Sequence, residues 1–268
     1  MTWRPIVYVQ DGVSVTYTKY GRKICANARD MRAGAPVLLD GEWERWVSDF
    51  LLRAMRQRKI PKEALCIDVG ANCGWYSLIM RYAGEQEGQH PVWAYEPHPV
   101  TAKWLRHTFD LNGMGMDSGC QVFEKAAGAV EGTFQLWIEP LYLGNASISP
   151  PNKVNRAPLE VQVVRLDDEV MLDEQVAIIK IDAEWAEREV LAGAHKLIAR
   201  NADHIMLVVE WHRCKELQRE LVGLAQDHNF EVAVIEHDSN VSVLDVRDDW
   251  GFIDDSEMLV LLRKDCKW

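Results

Sequence analysis

Apolar and polar positions along the 268-residue chain change their period several times. Residues 6–9 and 13–20 alternate on either side of Asp11-Gly12, a pattern that predicts a β-hairpin. Over 42–56 the period lengthens to that of a helix. Trp43, Trp46, Val47, Phe50 and Leu51 share one face, Asp40 is placed to cap the start, and Pro61 marks the end. Short apolar runs then alternate with helical stretches. Strands are predicted at 64–69, 92–95, 121–125, 133–137, 159–164, 177–181, 205–209, 230–235 and 258–262. Helices are predicted at 75–83, 101–111, 187–199 and 214–227.

Strands separated by helices of this length imply crossover units and a mostly parallel sheet covered on both faces. The last two strands, with little helical pattern between them, predict an antiparallel pair at the sheet edge. The fold expected is an α/β three-layer sandwich, Rossmann-like, with a small hairpin-and-helix cap. The cap takes residues 1–60 and the main domain residues 61–268.

Charge narrows the function. Lys plus Arg number 30 against 41 Asp plus Glu, a formal charge of −11. Such a surface repels polyanions, so no nucleic-acid partner is expected. No apolar run is long enough for a membrane span, and the first residues carry no secretory h-region. The six cysteines are scattered without a CxxC pair. A cytoplasmic protein with reduced thiols is therefore expected.

Candidate chemistry starts at the end of the first core strand, in Asp68-Val69-Gly70-Ala71-Asn72-Cys73-Gly74. Gly70 permits a tight turn and Gly74 a close helix–strand approach, and the loop presents backbone N–H groups at a helix start. Asn72 stands where a dinucleotide fingerprint would place glycine. Asp68 suits a ligand with a positive charge, such as an amino-acid ammonium. Glu96, before Pro97 at the end of the next strand, is placed to accept both hydroxyls of a ribose. Loop and acid together point to a nucleoside with an amino-acid tail.

These residues carry a family resemblance. Residues 68–77, Tyr95-Glu96-Pro97 and Leu111-Asn112 resemble the FkbM family of S-adenosylmethionine-dependent methyltransferases. So does a second signature, Ile179-Lys180-Ile181-Asp182-Ala183-Glu184-Trp185-Ala186-Glu187, with Val190-Leu191-Ala192-Gly193-Ala194 after it. The resemblance spans about residues 64–211. It implies a class I methyltransferase fold, S-adenosyl-L-methionine as cofactor held by Asp68, Gly70, Ala71, Asn72, Gly74, Glu96 and Pro97, and O-methylation of a small-molecule or glycan hydroxyl. Trp185 departs from the family, which usually has Gly there.

An alcohol needs a base before it attacks a methyl group. Asp182 and Glu184 lie past one predicted strand end, and Glu210, Trp211 and His212 past the next. His212 is the first candidate base, because imidazole titrates near neutrality, and Asp182 or Glu184 is the alternative. These acids and His212 also suit Mg²⁺ or Ca²⁺, but their spacing lacks a compact ligand motif and no metal is predicted. Trp185, Trp211 and Glu210 are the expected acceptor contacts, with indole faces suited to a sugar ring. Lys180, inside an apolar strand, is expected to pair with Glu187 or Glu210. His98 is expected beside the adenine, and residues 141–155 are expected to form a lid loop. The favoured reading is O-methylation of a sugar. The rivals are a polyketide, peptide or lipid hydroxyl, or a non-catalytic nucleoside-binding module.

Overall fold

The computed structural model describes residues 6–10, 12–30, 33–58, 61, 63–83, 89–139, 142–147 and 157–266. The expected hairpin forms from β1 (Val7–Gln10) and β2 (Val13–Tyr17), and a third antiparallel strand, β3 (Lys23–Asn27), extends it. A short helix, α1 (Gly34–Asp40), follows, then α2 (Arg45–Gln57). Asp40 does not cap α2. It ends α1, where Gly41 turns the chain at φ 64, and Glu44 stands ahead of α2 at φ 38. The apolar stripe of α2 is as its spacing dictates, with Val47, Phe50, Leu51, Ala54 and Met55 buried.

The central sheet begins with β4 (Leu65–Val69), α3 (Trp75–Tyr82), β5 (Val92–Tyr95), α4 (Pro99–Leu111) and β6 (Gln121–Phe123). The chain then leaves it for β7 (Ala126–Ala127), β8 (Gly132–Glu139), β9 (Tyr142–Ser147) and β10 (Ala157–Val164). These form a separate four-stranded sheet in the order β7-β10-β8-β9. Part of the expected lid loop is therefore strand β9, paired with β8, and its residues 141 and 148–155 lie outside the described residues.

After a short α5 (Leu166–Glu169) the chain returns as β11 (Val176–Ile181), α6 (Glu187–Ala192), α7 (His195–Asn201), β12 (Met206–Trp211), α8 (Lys215–His228), β13 (Phe230–Ile235), β14 (Val241–Val243) and β15 (Glu257–Arg263). The sheet order is β14-β13-β15-β12-β11-β4-β5-β6. β15 runs antiparallel to both β12 and β13, so the expected antiparallel pair exists. It is not the edge, however, because β15 enters between β12 and β13 and β14 takes the outside position.

All residues of β4, β11 and β12 are buried, as strands covered on both faces must be. One face packs against α2, α3 and α4 and the other against α6, α7 and α8. The helix expected over 187–199 is broken at Gly193, where a Cβ would stand 2.0 Å from the Gly128 carbonyl oxygen. That backbone approach leaves no room for a side chain, and the helix restarts at His195. β4 lies between β5 and β11, so the direction of strand addition reverses there. Ligands of open α/β sheets bind at the carboxyl ends of strands at such a reversal.

Candidate active site

A cavity of about 400 Å³ opens at that position. Its walls include Gly70, Ala71, Asn72, Glu96 and Pro97 from the ends of β4 and β5, and Lys180, Asp182, Glu184 and Glu210 from β11, β12 and the turn after β11. The N-terminal segment adds Ala33, Val37, Trp43 and Glu44.

Glu96 is held on both oxygens. Asn72 N donates to Oε2 at 3.0 Å and His98 N to Oε1 at 2.9 Å. Burial drives its pKa up while these two N–H groups pull it down, leaving it at about 7. Gly70 (φ 72) and Gly74 (φ 91) both use backbone space that favours glycine. At Gly70 a Cβ would meet the Asp182 carbonyl oxygen at 1.7 Å, so the close approach there is to β11 rather than to a ligand. Gly74 is not on the cavity wall; its missing side chain makes room for Leu105 of α4, 2.7 Å from where a Cβ would be.

Asp68 is the clearest correction among the expected cofactor ligands. It is fully buried, off the cavity, accepts a hydrogen bond from Ser77 Oγ at 2.6 Å and lies 4.0 Å from Lys180 Nζ. Its carboxylate fastens β4 to α3 and β11 from behind the cavity wall, where no incoming ammonium reaches it. His98 is also structural: its Nδ1 accepts from Thr101 N at 3.3 Å and caps α4.

Lys180 pairs with Asp182 at 2.9 Å, not with Glu187 or Glu210. The two-residue period of a strand puts Lys180 and Asp182 on one face, and the register sets Lys180 opposite Asp68. Burial opposes the ammonium, but Asp182 and Asp68 overcome it and raise its pKa. Burial likewise acts to raise Asp182, and Lys180 and a hydrogen bond with Glu210 outweigh it, so Asp182 stays ionised.

His212 is buried and lies off the cavity wall. Its Nε2 is 3.1 Å from Glu210 Oε2 and 3.7 Å from Glu187 Oε1. Burial disfavours the imidazolium, yet Glu187 and Glu210 outweigh that and raise its pKa to about 10. Off the cavity wall and held between those two carboxylates, His212 is not placed to take the proton of an alcohol in the cavity. Donor atoms of Glu187, Glu210 and His212 lie within 4.8 Å of one another, dimensions that bracket a cation.

Trp185 is 55% exposed and stacks on His212, with ring centroids 4.1 Å apart and planes 13° from parallel. Its N–H, with that of Ala183, donates to Glu187 Oε1. Trp211 is 1% exposed and packs edge-on against Trp250, which removes it from any acceptor surface. Its side chain points into the helix-covered layer because Glu210, its strand neighbour, takes the cavity side.

Sequence reading missed Glu44 and did not single out Tyr76. The Tyr76 hydroxyl donates to Glu44, and Lys180 Nζ stands 4.7 Å from the Tyr76 ring centroid. Glu44 carried no motif signal because it sits before an ordinary amphipathic helix. Only the folding of α2 against α3 brings it to the cavity.

A cavity at the switch point of a mostly parallel α/β sheet, with one antiparallel strand inserted near its end, defines a class I methyltransferase architecture. Residues 68–238 match the methyltransferase FkbM domain, more than half of the chain, and the chain belongs to that family. It is similar to methyltransferase sdnD of Sordaria araneosa, 26% identical over 206 residues that cover 65% of this chain and 76% of that one. Among solved structures, methyltransferase FkbM from Methylobacillus flagellatus is 18% identical with a TM-score of 0.49. That comparison covers 76% of this chain but 44% of the other, so the chain spans less than half of that protein's length. Aeropyrum pernix fibrillarin, solved with S-adenosyl-L-methionine, is 12% identical with a TM-score of 0.45 over 98% of this chain and all of the other.

Proposed function

We propose that the chain is an S-adenosylmethionine-dependent O-methyltransferase whose acceptor is a hydroxyl of a sugar, in a glycan or a glycosylated small molecule. The observation that carries this reading is the set of carboxylates and aromatic residues on the cavity wall. Glu44, Asp182, Glu184 and Glu210 all reach its wall, together with the rings of Trp43, Trp75 and Tyr76. Carboxylates accept hydrogen bonds from several hydroxyls at once, and flat rings pack on a pyranose face. A purely apolar acceptor would offer those acids no hydrogen-bond donors while shielding them from water.

The cofactor fits the residues present. Glu96 is fixed for the ribose by two backbone donors, and Gly70, Ala71, Asn72 and Pro97 supply the surrounding wall. When bound, the cofactor supplies an electrophilic methyl group, the C–O bond forming as the C–S bond breaks and its electron pair returns to sulfur. The chain contributes alignment and a proton acceptor, since in-line displacement depends chiefly on orientation.

Transfer of tritiated methyl to a panel of glycosides, hydroxylated polyketides, peptides and lipids tests the reading. Labelled glycoside with the other classes blank is expected. Label only in an aglycone, peptide or lipid hydroxyl would contradict the sugar assignment, and no label anywhere with the cofactor bound would favour a binding module.

A further inference from the structure

Glu44 enters the cavity from outside the matched family region, which begins at residue 68. It is held at φ 38, and its carboxylate accepts from the Tyr76 hydroxyl of α3. The charged and titratable groups facing it are Tyr76, Lys180 and Asp182 of β11, and Glu257 at the start of β15. A carboxylate of the N-terminal segment thus meets the end of β11 at the cavity wall.

Three of the other acids on the cavity wall have fixed tasks, and the fourth, Glu184, stands in the turn after β11. Both oxygens of Glu96 accept backbone N–H groups. Asp182 is neutralised by Lys180. Glu210 lies 3.1 Å from His212 Nε2 and shares a hydrogen bond with Asp182, while burial and Asp182 raise its pKa. Glu44 differs, because its partner Tyr76 is a neutral donor that orients the carboxylate without neutralising it.

We propose that Glu44 is the general base that takes the acceptor's proton, with Tyr76 as the positioning residue that aims it. The assignment rests on the methyl-transfer reading above. The acceptor O–H bond breaks, its electron pair stays on oxygen for the attack, and the proton passes to a Glu44 oxygen and then to solvent. Burial and Asp182 raise the Glu44 pKa while Tyr76 and Lys180 lower it, leaving it at about 7, a value suited to proton transfer near neutrality.

Two cofactor analogues test this without a known acceptor. S-adenosylhomocysteine has nothing at the methyl position, whereas sinefungin carries a protonated amine there. A base beside the transferring methyl should favour the amine. At pH 8, Glu44→Gln is expected to weaken sinefungin about tenfold or more and S-adenosylhomocysteine less than about twofold. The wild-type preference for sinefungin should fade as pH falls through about 7, where the carboxylate takes a proton. Tyr76→Phe should move that midpoint upward, because it removes a donor that favours the ionised form. Equal loss of both analogues would make Glu44 a receptor for the amino-acid tail and overturn the proposal. So would no loss of either, or loss of the preference in Glu184→Gln instead. A wild-type protein that binds neither analogue would overturn the methyl-transfer reading itself.

Discussion

Trp185 and Glu184 occupy left-handed backbone at φ 78 and φ 48, where a non-glycine residue costs about 1–2 kcal/mol. The glycine usual to the family at 185 would relieve that strain, so the indole must return something, and its stack on His212 is the visible return. Trp185→Ala removes the ring and keeps the strain, whereas Trp185→Gly removes both. Urea denaturation should find the Gly variant more stable than the Ala variant by about 1 kcal/mol. Equal stabilities would mean the turn is unstrained. Beneath the ring, His212 has a folded pKa of about 10 against an ordinary 6.5, so its stabilisation is complete below 6.5 and is lost as pH rises toward 10. His212→Ala strands Glu187 and Glu210 and should cost about 3–5 kcal/mol at pH 6. The gap to wild type should narrow by pH 10, as read from urea midpoints; a gap independent of pH would remove the imidazolium from this account. Residue types at the site were legible in the sequence, and Glu96 stands where the motif places it. Their partners were not. Asp68 and His212 carry the right chemistry for a ligand and a base, but burial commits both to internal ion pairs, and burial is not written in a motif.

At the scale of elements, period and punctuation gave the strands and helices of the central sheet, because strands buried on both faces read as unbroken apolar runs. Several features escaped, and three of them show why. Helix α1 is too short to show a period, β15 is inserted between neighbours by long-range pairing, and the break between α6 and α7 comes from contact with a distant segment. The last of these makes a prediction. A Cβ at Gly193 would overlap the Gly128 carbonyl oxygen, so Gly193→Ala should lower stability by about 1–3 kcal/mol. Gly113 is the matched control: its φ is 65 but nothing lies within 4 Å, so Gly113→Ala should cost only the backbone strain of about 1 kcal/mol. Thermal melts of the two variants compare them, and a Gly193 variant as stable as wild type would refute the backbone approach. Gly70→Val, although Gly70 lines the cavity, should unfold the sheet rather than probe the site, since its side chain would drive into Asp182 just past β11.

Across the whole molecule, the N-terminal segment shares one core with the sheet rather than standing apart: Ile24, Val37, Val47, Phe50 and Leu51 pack in the same apolar cluster as α3 and β4. This sharing puts Glu44 and Trp43 on the cavity wall, and it explains why that part of the cavity was the least legible in the sequence. The wall around Glu96 is encoded within one β-α-β stretch, whereas the rest is assembled from segments some 200 residues apart, Glu44 and Ser256 among them. Among the described residues no helix is long and apolar enough to cross a membrane. The central claim is that the cavity between β4, β5 and β11 holds an adenosyl cofactor with Glu96 on its ribose. Calorimetric titration with S-adenosylhomocysteine at pH 8, on wild type and Glu96→Ala, tests it most directly. Binding to wild type with about 1.5–3 kcal/mol lost in the variant is the predicted result, from the loss of a charged acceptor shared by two hydroxyls. Equal affinity in the two proteins would contradict it.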